Sequence, residues 1–313
     1  MEAVLVDPTK KGAEKFRLGT VPDPRPVEGA VLVEVKAVAL SAWEKEFAQD
    51  DDPRSLTRRT RKKNVNLGLE FSGIVRSDGR RFKKGQRVMG GPHLTKDEKS
   101  LAQYVSVCEE YLAELPDALD YARAAALPIG AETALTSLDR ASVHSGDHVL
   151  VVGASGGVGV YAVQIAAARG ATVTAVGGRR SAARLKDIGS TTSHYYGDKS
   201  FEDLAGPFDA VLDLSGTLRF SQVRKKLSRR GTFVNVNPQK DITGMITSRF
   251  SRKKTPFIFI PRSSAPMQTR ILDLVTQGKI QPIVEANYDI SQFRTAFSDL
   301  IHNDRFGKIV ISH

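Results

Sequence analysis

The stretch that most constrains this chain is Val149-Leu150-Val151-Val152-Gly153-Ala154-Ser155-Gly156-Gly157-Val158-Gly159. It opens an uncharged run, Val149 to Ala168, that is long enough to span a bilayer. Four clustered glycines break a continuous helix, so the run is predicted to be a strand, a tight turn and a helix. His148–Val152 is the apolar strand. Val158–Arg169 is the helix, with Val158, Ala162, Ile165 and Ala166 on one face. Glycines let the main chain approach a ligand closely, and the helix start presents free N–H groups and a positive dipole end. That combination suits a dinucleotide pyrophosphate. The spacing carries one residue more after Gly153 than strict G-x-G-x-x-G, and a turn without a ligand is the plainer alternative.

The flanking sequence supplies the context such a turn needs. Ala171–Val176 reads as a second strand and Ser181–Ile188 as a second helix. Ala210–Leu214, Thr232–Val236 and Phe257–Ile260 read as later strands, and Met267–Gln277 as a helix. Upstream, Tyr121–Leu127 is predicted helical up to Pro128, and Ala131–Ala141 follows as another helix. Alternating strands and helices argue for a parallel sheet covered by helices. Residues 1–118 look different. Ala30–Val38 alternates apolar and polar residues, and the short runs at Gly68–Val75 and Gly85–Val88 are joined through Asp78-Gly79. They suggest a small barrel-like β domain, to which a last strand, Gly307–Ile311, returns.

The end of the second strand reports on the nucleotide. An NAD site usually carries an acid there to bond the ribose 2′-hydroxyl. This chain reads Val176-Gly177-Gly178-Arg179-Arg180-Ser181, with no acid. Two arginines suit a 2′-phosphate, so NADPH is the expected coenzyme; the alternative is that both simply face water.

Composition excludes several classes. With 41% hydrophobic and 26% charged residues, the chain can build a core and is not a disordered tail. Its one cysteine, Cys108, rules out an intramolecular disulfide and a Cys-rich metal site, and favours a reducing compartment. The six histidines show no metal-ligand spacing. The start of the chain lacks the apolar core of a signal peptide, so the cytoplasm is expected. The net charge of +11 concentrates at residues 54–63, at Arg224–Arg230 and at Arg249–Lys254. Such clusters either face solvent or meet an anionic surface. No zinc-finger spacing or RNP signature points to sequence-specific nucleic-acid binding.

In this order and spacing, Ala37-Val38-Ala39-Leu40, Gly68-Leu69-Glu70-Phe71-Ser72-Gly73, Gly85-Gln86-Arg87-Val88, Ala125-Ala126-Leu127-Pro128, the glycine turn, Phe208–Asp213, Gly278–Pro282 and Gly307-Lys308-Ile309-Val310 resemble the medium-chain dehydrogenase/reductase superfamily. Within it, the chain resembles the zinc-less quinone oxidoreductase branch. The resemblance covers nearly the whole chain. It implies an α/β fold: a Rossmann doubly wound parallel sheet, residues 119–278, plus a GroES-like β-barrel domain, residues 1–118 and 279–313. It also implies a cleft between them and, in many members, a homodimer. Ser155, Gly156, Gly157 and Val158 would hold the pyrophosphate, and Gly178, Arg179, Arg180 and Tyr196 the 2′-phosphate. Thr133 and Asn237 would lie near the nicotinamide, and Lys308 near the coenzyme. Leu69 stands where zinc-dependent relatives carry a catalytic His, which implies no zinc.

The expected reaction is hydride transfer from NADPH to a quinone or an activated C=C bond. One segment departs from the resemblance. Related reductases read Leu-Asn-Pro-x-Asp, and this chain reads Leu40-Ser41-Ala42-Trp43-Glu44. Ser41, Glu44 and Thr133 are the candidate catalytic residues, although Glu44 suits a structural place equally well. Trp43 suits either an acceptor pocket or the core, and Tyr104 a packed strand. A rival reading makes the chain an NADPH-binding interaction or regulatory protein with little turnover, its 54–63 loop meeting an acidic partner, RNA or a membrane surface. Alcohol dehydrogenation is the weaker third reading.

Overall fold

The computed structural model describes residues 1–7, 9–49, 67–92, 100–237, 241–256, 263–302 and 304–313. The strand expected at Phe257–Ile260 and the basic stretch 54–63 lie outside them.

In the first part of the chain, β1 (Glu2–Val6) and β2 (Phe16–Thr20) form an antiparallel pair. β3 (Ala30–Leu40), β4 (Phe71–Val75), β5 (Arg87–Gly90), β6 (Tyr104–Cys108) and β7 (Leu112–Glu114) belong to one sheet. β3 organises it. Val31, Val33 and Val35 point to the core in strand alternation, and Ala37–Leu40 are buried on both faces. The first half of β3 pairs with β6 and its last residues pair with a strand from the far end of the chain.

The second sheet is parallel throughout. β8 (His148–Val152), β9 (Thr172–Gly177), β10 (Thr192–Tyr195), β11 (Phe208–Asp213) and β12 (Leu227–Asn235) lie in the order β10-β9-β8-β11-β12. β8 is apolar because both its faces are covered; Val149, Leu150 and Val151 have no exposed surface. The chain leaves β8 for β9 on one side and later returns to β11 on the other. Such a reversal opens a crevice beyond the carboxyl ends of the strands, where α/β sheets bind ligands.

β13 (Val284–Asp289) and β14 (Lys308–Ser312) rejoin the first sheet, β14 antiparallel to β3 and β13 parallel to β14. A parallel pair needs a crossover, and the helix Phe293–His302 supplies it. Phe293, Ala296, Phe297 and Leu300 line its buried face, and Phe297 stacks on Phe16 with ring centroids 3.7 Å apart. The expected small β domain is thus a mixed seven-stranded sheet, tied to the β1–β2 pair by an Ala3–Ala102 bridge. Helix Tyr121–Ala125 stops before Pro128, as expected, and Pro128 itself opens the next helix, Pro128–Arg140. Proline suits that first position because its missing N–H would have had no helical acceptor. No helix among the described residues is long and apolar enough to cross a membrane.

Candidate functional site

A cavity of about 450 Å³ lies between the two sheets. Leu40, Ser41 and Trp43 form one wall. Gly156, Gly157 and Val158 form the floor, and Thr133, Asn237 and Lys308 close it. A wider depression of about 970 Å³ lies against Pro116, Gln164 and Lys279, and none of the expected site residues lines it.

The glycine turn is built for close approach. Gly153 takes φ +86°, a conformation side chains rarely adopt. The N–H groups of Gly153 and Ala154 both donate to the Val176 carbonyl, at 3.0 and 2.9 Å, which fixes the turn to β9. A Cβ on Gly159 would collide with the Gly153 carbonyl and the Ala154 backbone, so only glycine lets the helix Gly159–Ala168 start this close to β8. Gly156, by contrast, faces open space apart from the Gly153 carbonyl. A glycine turn that leaves the backbone open at Gly156, at the start of a helix, fits a pyrophosphate. Ser155 braces it: its Oγ accepts from Gly178 N at 3.1 Å and its carbonyl accepts from Gly307 N at 2.9 Å.

Ser41 lines the cavity, and its hydroxyl donates to Glu44 Oε2 at 2.5 Å. Glu44 itself does not line it. Its carboxylate is fully buried and accepts from Ser41 N at 2.7 Å and Gly68 N at 3.2 Å. Burial pushes its pKa up, opposed by these hydrogen bonds. Glu44, expected among the catalytic residues, therefore positions Ser41 from behind the wall. Trp43 divides between the two roles expected of it, lining the cavity while packing near Phe47.

Lys308 enters under the floor. Its stem lies where a Cβ of Gly157 would be, and its ammonium forms a buried ion pair with Glu70. Glu70 Oε2 also accepts from Ile129 N and Gly130 N, both at 3.1 Å. One carboxylate thus ties β14 to the helix Pro128–Arg140, below the glycine turn. Sequence reasoning missed this role for Glu70, because its partner lies at the far end of the chain.

The remaining expected residues lie across the turn, beyond β9. Tyr196 borders a hollow of about 140 Å³ together with Val152, Val176 and Tyr195. About half of the residue is exposed, while its hydroxyl lies beside Ser215 and near Asp213; partial burial and then the Asp213 carboxylate push its pKa up. Arg179 lies over the Tyr195 ring, 4.4 Å from its centroid, and Arg179 and Arg180 are exposed. A second acid was missed here. Asp304 rests its carboxylate on Gly178 and accepts from Arg180 N at 3.2 Å. Asp213, at the end of β11, folds the next loop by accepting from the N–H groups of Ser215, Gly216 and Leu218. Asn237 packs its amide on Gly216 of that loop.

Beside Thr133, Glu132 is buried and accepts from Ser263 Oγ at 2.9 Å and Gln268 Nε2 at 2.8 Å. Burial raises its pKa to about 7. The folded state then holds a proton that the unfolded chain releases near its usual value. Stability is therefore full below about pH 4.5, falls as pH rises toward 7, and is flat above. Glu132→Gln should remove up to about 3 kcal/mol of this slope. Urea midpoints measured from pH 4.5 to 8 check it; parallel curves for the two proteins would contradict it. Among the described residues, no group of three or more His, Cys, Asp or Glu side chains is placed to hold a metal ion.

Comparison with known proteins agrees with this geometry. Residues 189–311 match the family described as zinc-binding dehydrogenase. The chain is 31% identical over 251 residues to a 2-methylene-furan-3-one reductase of Solanum lycopersicum, covering 79% of this chain and 60% of the relative, less than two thirds of its length. It is 27% identical to a chloroplastic quinone oxidoreductase of Triphysaria versicolor, over 99% of this chain and 98% of that one. The solved quinone oxidoreductase of Coxiella burnetii superposes with a TM-score of 0.90 at 26% identity, covering 100% of this chain and 99% of the other. With its parallel sheet, its mixed sheet and the glycine turn between them, the chain has the architecture of medium-chain dehydrogenase/reductases and is similar along its whole length to quinone oxidoreductases.

Proposed function

We propose that this protein is an NADPH-dependent reductase that delivers hydride to a quinone or to the activated C=C bond of an enone or enal, without zinc. The observation that carries the reading is the glycine turn, open at Gly156 and backed at Gly157 by the Lys308 stem, which borders at the sheet reversal a cavity walled by Ser41, Trp43 and Thr133. The names of the tomato and Triphysaria relatives point to the same two acceptor classes. Arg179 and Arg180 support the phosphorylated coenzyme. Leu69 on the cavity wall, and a single cysteine in the whole chain, support a reaction that uses no zinc. The homodimer and the cytoplasmic location remain parts of this proposal. Contact with anionic surfaces through 54–63 concerns residues outside those described.

The bound nicotinamide would supply the hydride; the protein orients the acceptor and stabilises the charge that develops on its oxygen. Apolar Leu40, Trp43 and Leu69 would sandwich a planar acceptor and exclude water from it. The Ser41 hydroxyl can rotate from Glu44 to the acceptor oxygen, because Ser41 N and Gly68 N still satisfy the Glu44 carboxylate. Ser41→Ala should lower turnover about tenfold and leave NADPH affinity unchanged. Stopped-flow NADPH oxidation across a panel of quinones, enones and enals tests both claims. Turnover with one of these classes is expected, and none with any would overturn the enzyme reading. Equal rates for Ser41→Ala and the parent would remove Ser41 from the chemistry. The short Ser41–Glu44 bond favours the second reading, a coenzyme-binding protein with little turnover, and the same panel decides between the two.

A further inference from the structure

The coenzyme site holds an acid that its own strand does not supply. β9 ends at Gly177, and the residues after it are Gly178, Arg179 and Arg180. The strand end that usually carries the ribose-binding acid therefore carries none. The chain fills the place from elsewhere. Asp304, just before β14, lays its carboxylate on the face of Gly178, and Oδ2 accepts from Arg180 N at 3.2 Å. Any side chain at 178 would overlap that carboxylate, so Gly178 makes its room. The neighbouring contacts hold the segment there: Gly307 N donates to the Ser155 carbonyl at 2.9 Å, and Ser155 Oγ accepts from Gly178 N at 3.1 Å. The same serine thus joins the pyrophosphate turn, the end of β9 and the segment that carries Asp304.

We infer that Asp304 sets the selectivity between the two reduced coenzymes; this rests on the proposed coenzyme reading. The carboxylate is an acceptor for the ribose hydroxyls, as a strand-end acid would be, and so supports NADH. It also places a negative charge against the backbone of the segment that carries the two arginines, whose guanidinium groups would neutralise a 2′-phosphate. The carboxylate, which also faces the neighbouring Arg305, then offsets part of the positive charge at this end of the site, and the preference for NADPH is held in check. Removing the charge leaves the arginines unopposed.

Fluorescence titration of the parent, Asp304→Asn and Asp304→Glu with NADPH and NADH tests the inference through binding alone. Asp304→Asn should tighten NADPH and weaken NADH, moving the ratio of dissociation constants about tenfold toward NADPH. Asp304→Glu, which keeps the charge, should stay close to the parent. A merely structural role would move both coenzymes together, so an unchanged ratio in Asp304→Asn, or a parallel loss of both, overturns the inference. A parent that binds neither coenzyme overturns the coenzyme reading itself, and this inference with it. A parent that binds both with no response of the ratio overturns the role of Asp304 alone.

Discussion

Lys308→Met should destabilise the protein by about 3–5 kcal/mol, read as a lowered urea midpoint with an unchanged slope. The pair it breaks is almost wholly buried, with side-chain exposure of 4% for Lys308 and none for Glu70. Methionine keeps the stem that packs beneath Gly157 and Gly130. What it removes is the charge, which leaves the Glu70 carboxylate desolvated and unpaired. Glu70→Gln combined with Lys308→Met should recover much of the loss, because the amide oxygen still accepts from Ile129 and Gly130 while no buried charge remains. If the double variant is as unstable as the two single variants added together, the ion pair is not the source. The same replacement should weaken coenzyme binding, since the floor of the cavity would shift with β14.

The second large effect concerns affinity rather than stability. Arg179→Ala together with Arg180→Ala should weaken NADPH binding about a hundredfold and change NADH binding little. Both side chains are exposed and neither supports the core, so the fold should be unaffected. Arg179 lies over Tyr195, close to the hollow bordered by Tyr196, which puts a cation at the expected adenosine end. The effect should shrink as salt rises, because exposed charges are screened. A parallel fall in affinity for both coenzymes would place the arginines outside the phosphate site.

The elements around β8 were legible because their signals are local. An apolar run, a glycine cluster and an amphipathic helix follow one another within a short stretch, and the structure sets them at His148–Val152 and Gly159–Ala168. Pro128 signals a break in the sequence, and in the structure it also begins the next helix. The crossover helix Phe293–His302 went unread although its apolar residues recur at helical spacing. β12 begins at Leu227, earlier than expected, because its first residues include exposed Arg229 and Arg230, which carry no apolar signal.

The site divides in the same way. Ser41, Thr133, Asn237, Lys308 and the turn from Gly156 to Val158 come together at one cavity. Glu44 does not join them, because a carboxylate three residues after Ser41 on a new helix turns back to accept from Ser41 N. Glu70 and Asp304 were illegible for a different reason. Each acts on residues far along the chain: Glu70 pairs with Lys308 across 238 positions, and Asp304 reaches Arg180 across 124. Glu70 and Lys308 each stand in a segment that carries the resemblance, but contacts of that separation leave no local signal that pairs the partners.

The proposed function requires a reduced, phosphorylated nicotinamide coenzyme to lie across the glycine turn. Titration calorimetry of the purified protein with NADPH and with NADH measures this directly. It should give saturable heat at one site per chain, with NADPH the tighter ligand. Absence of heat with both coenzymes, from protein that is folded by circular dichroism, would contradict the account at its base.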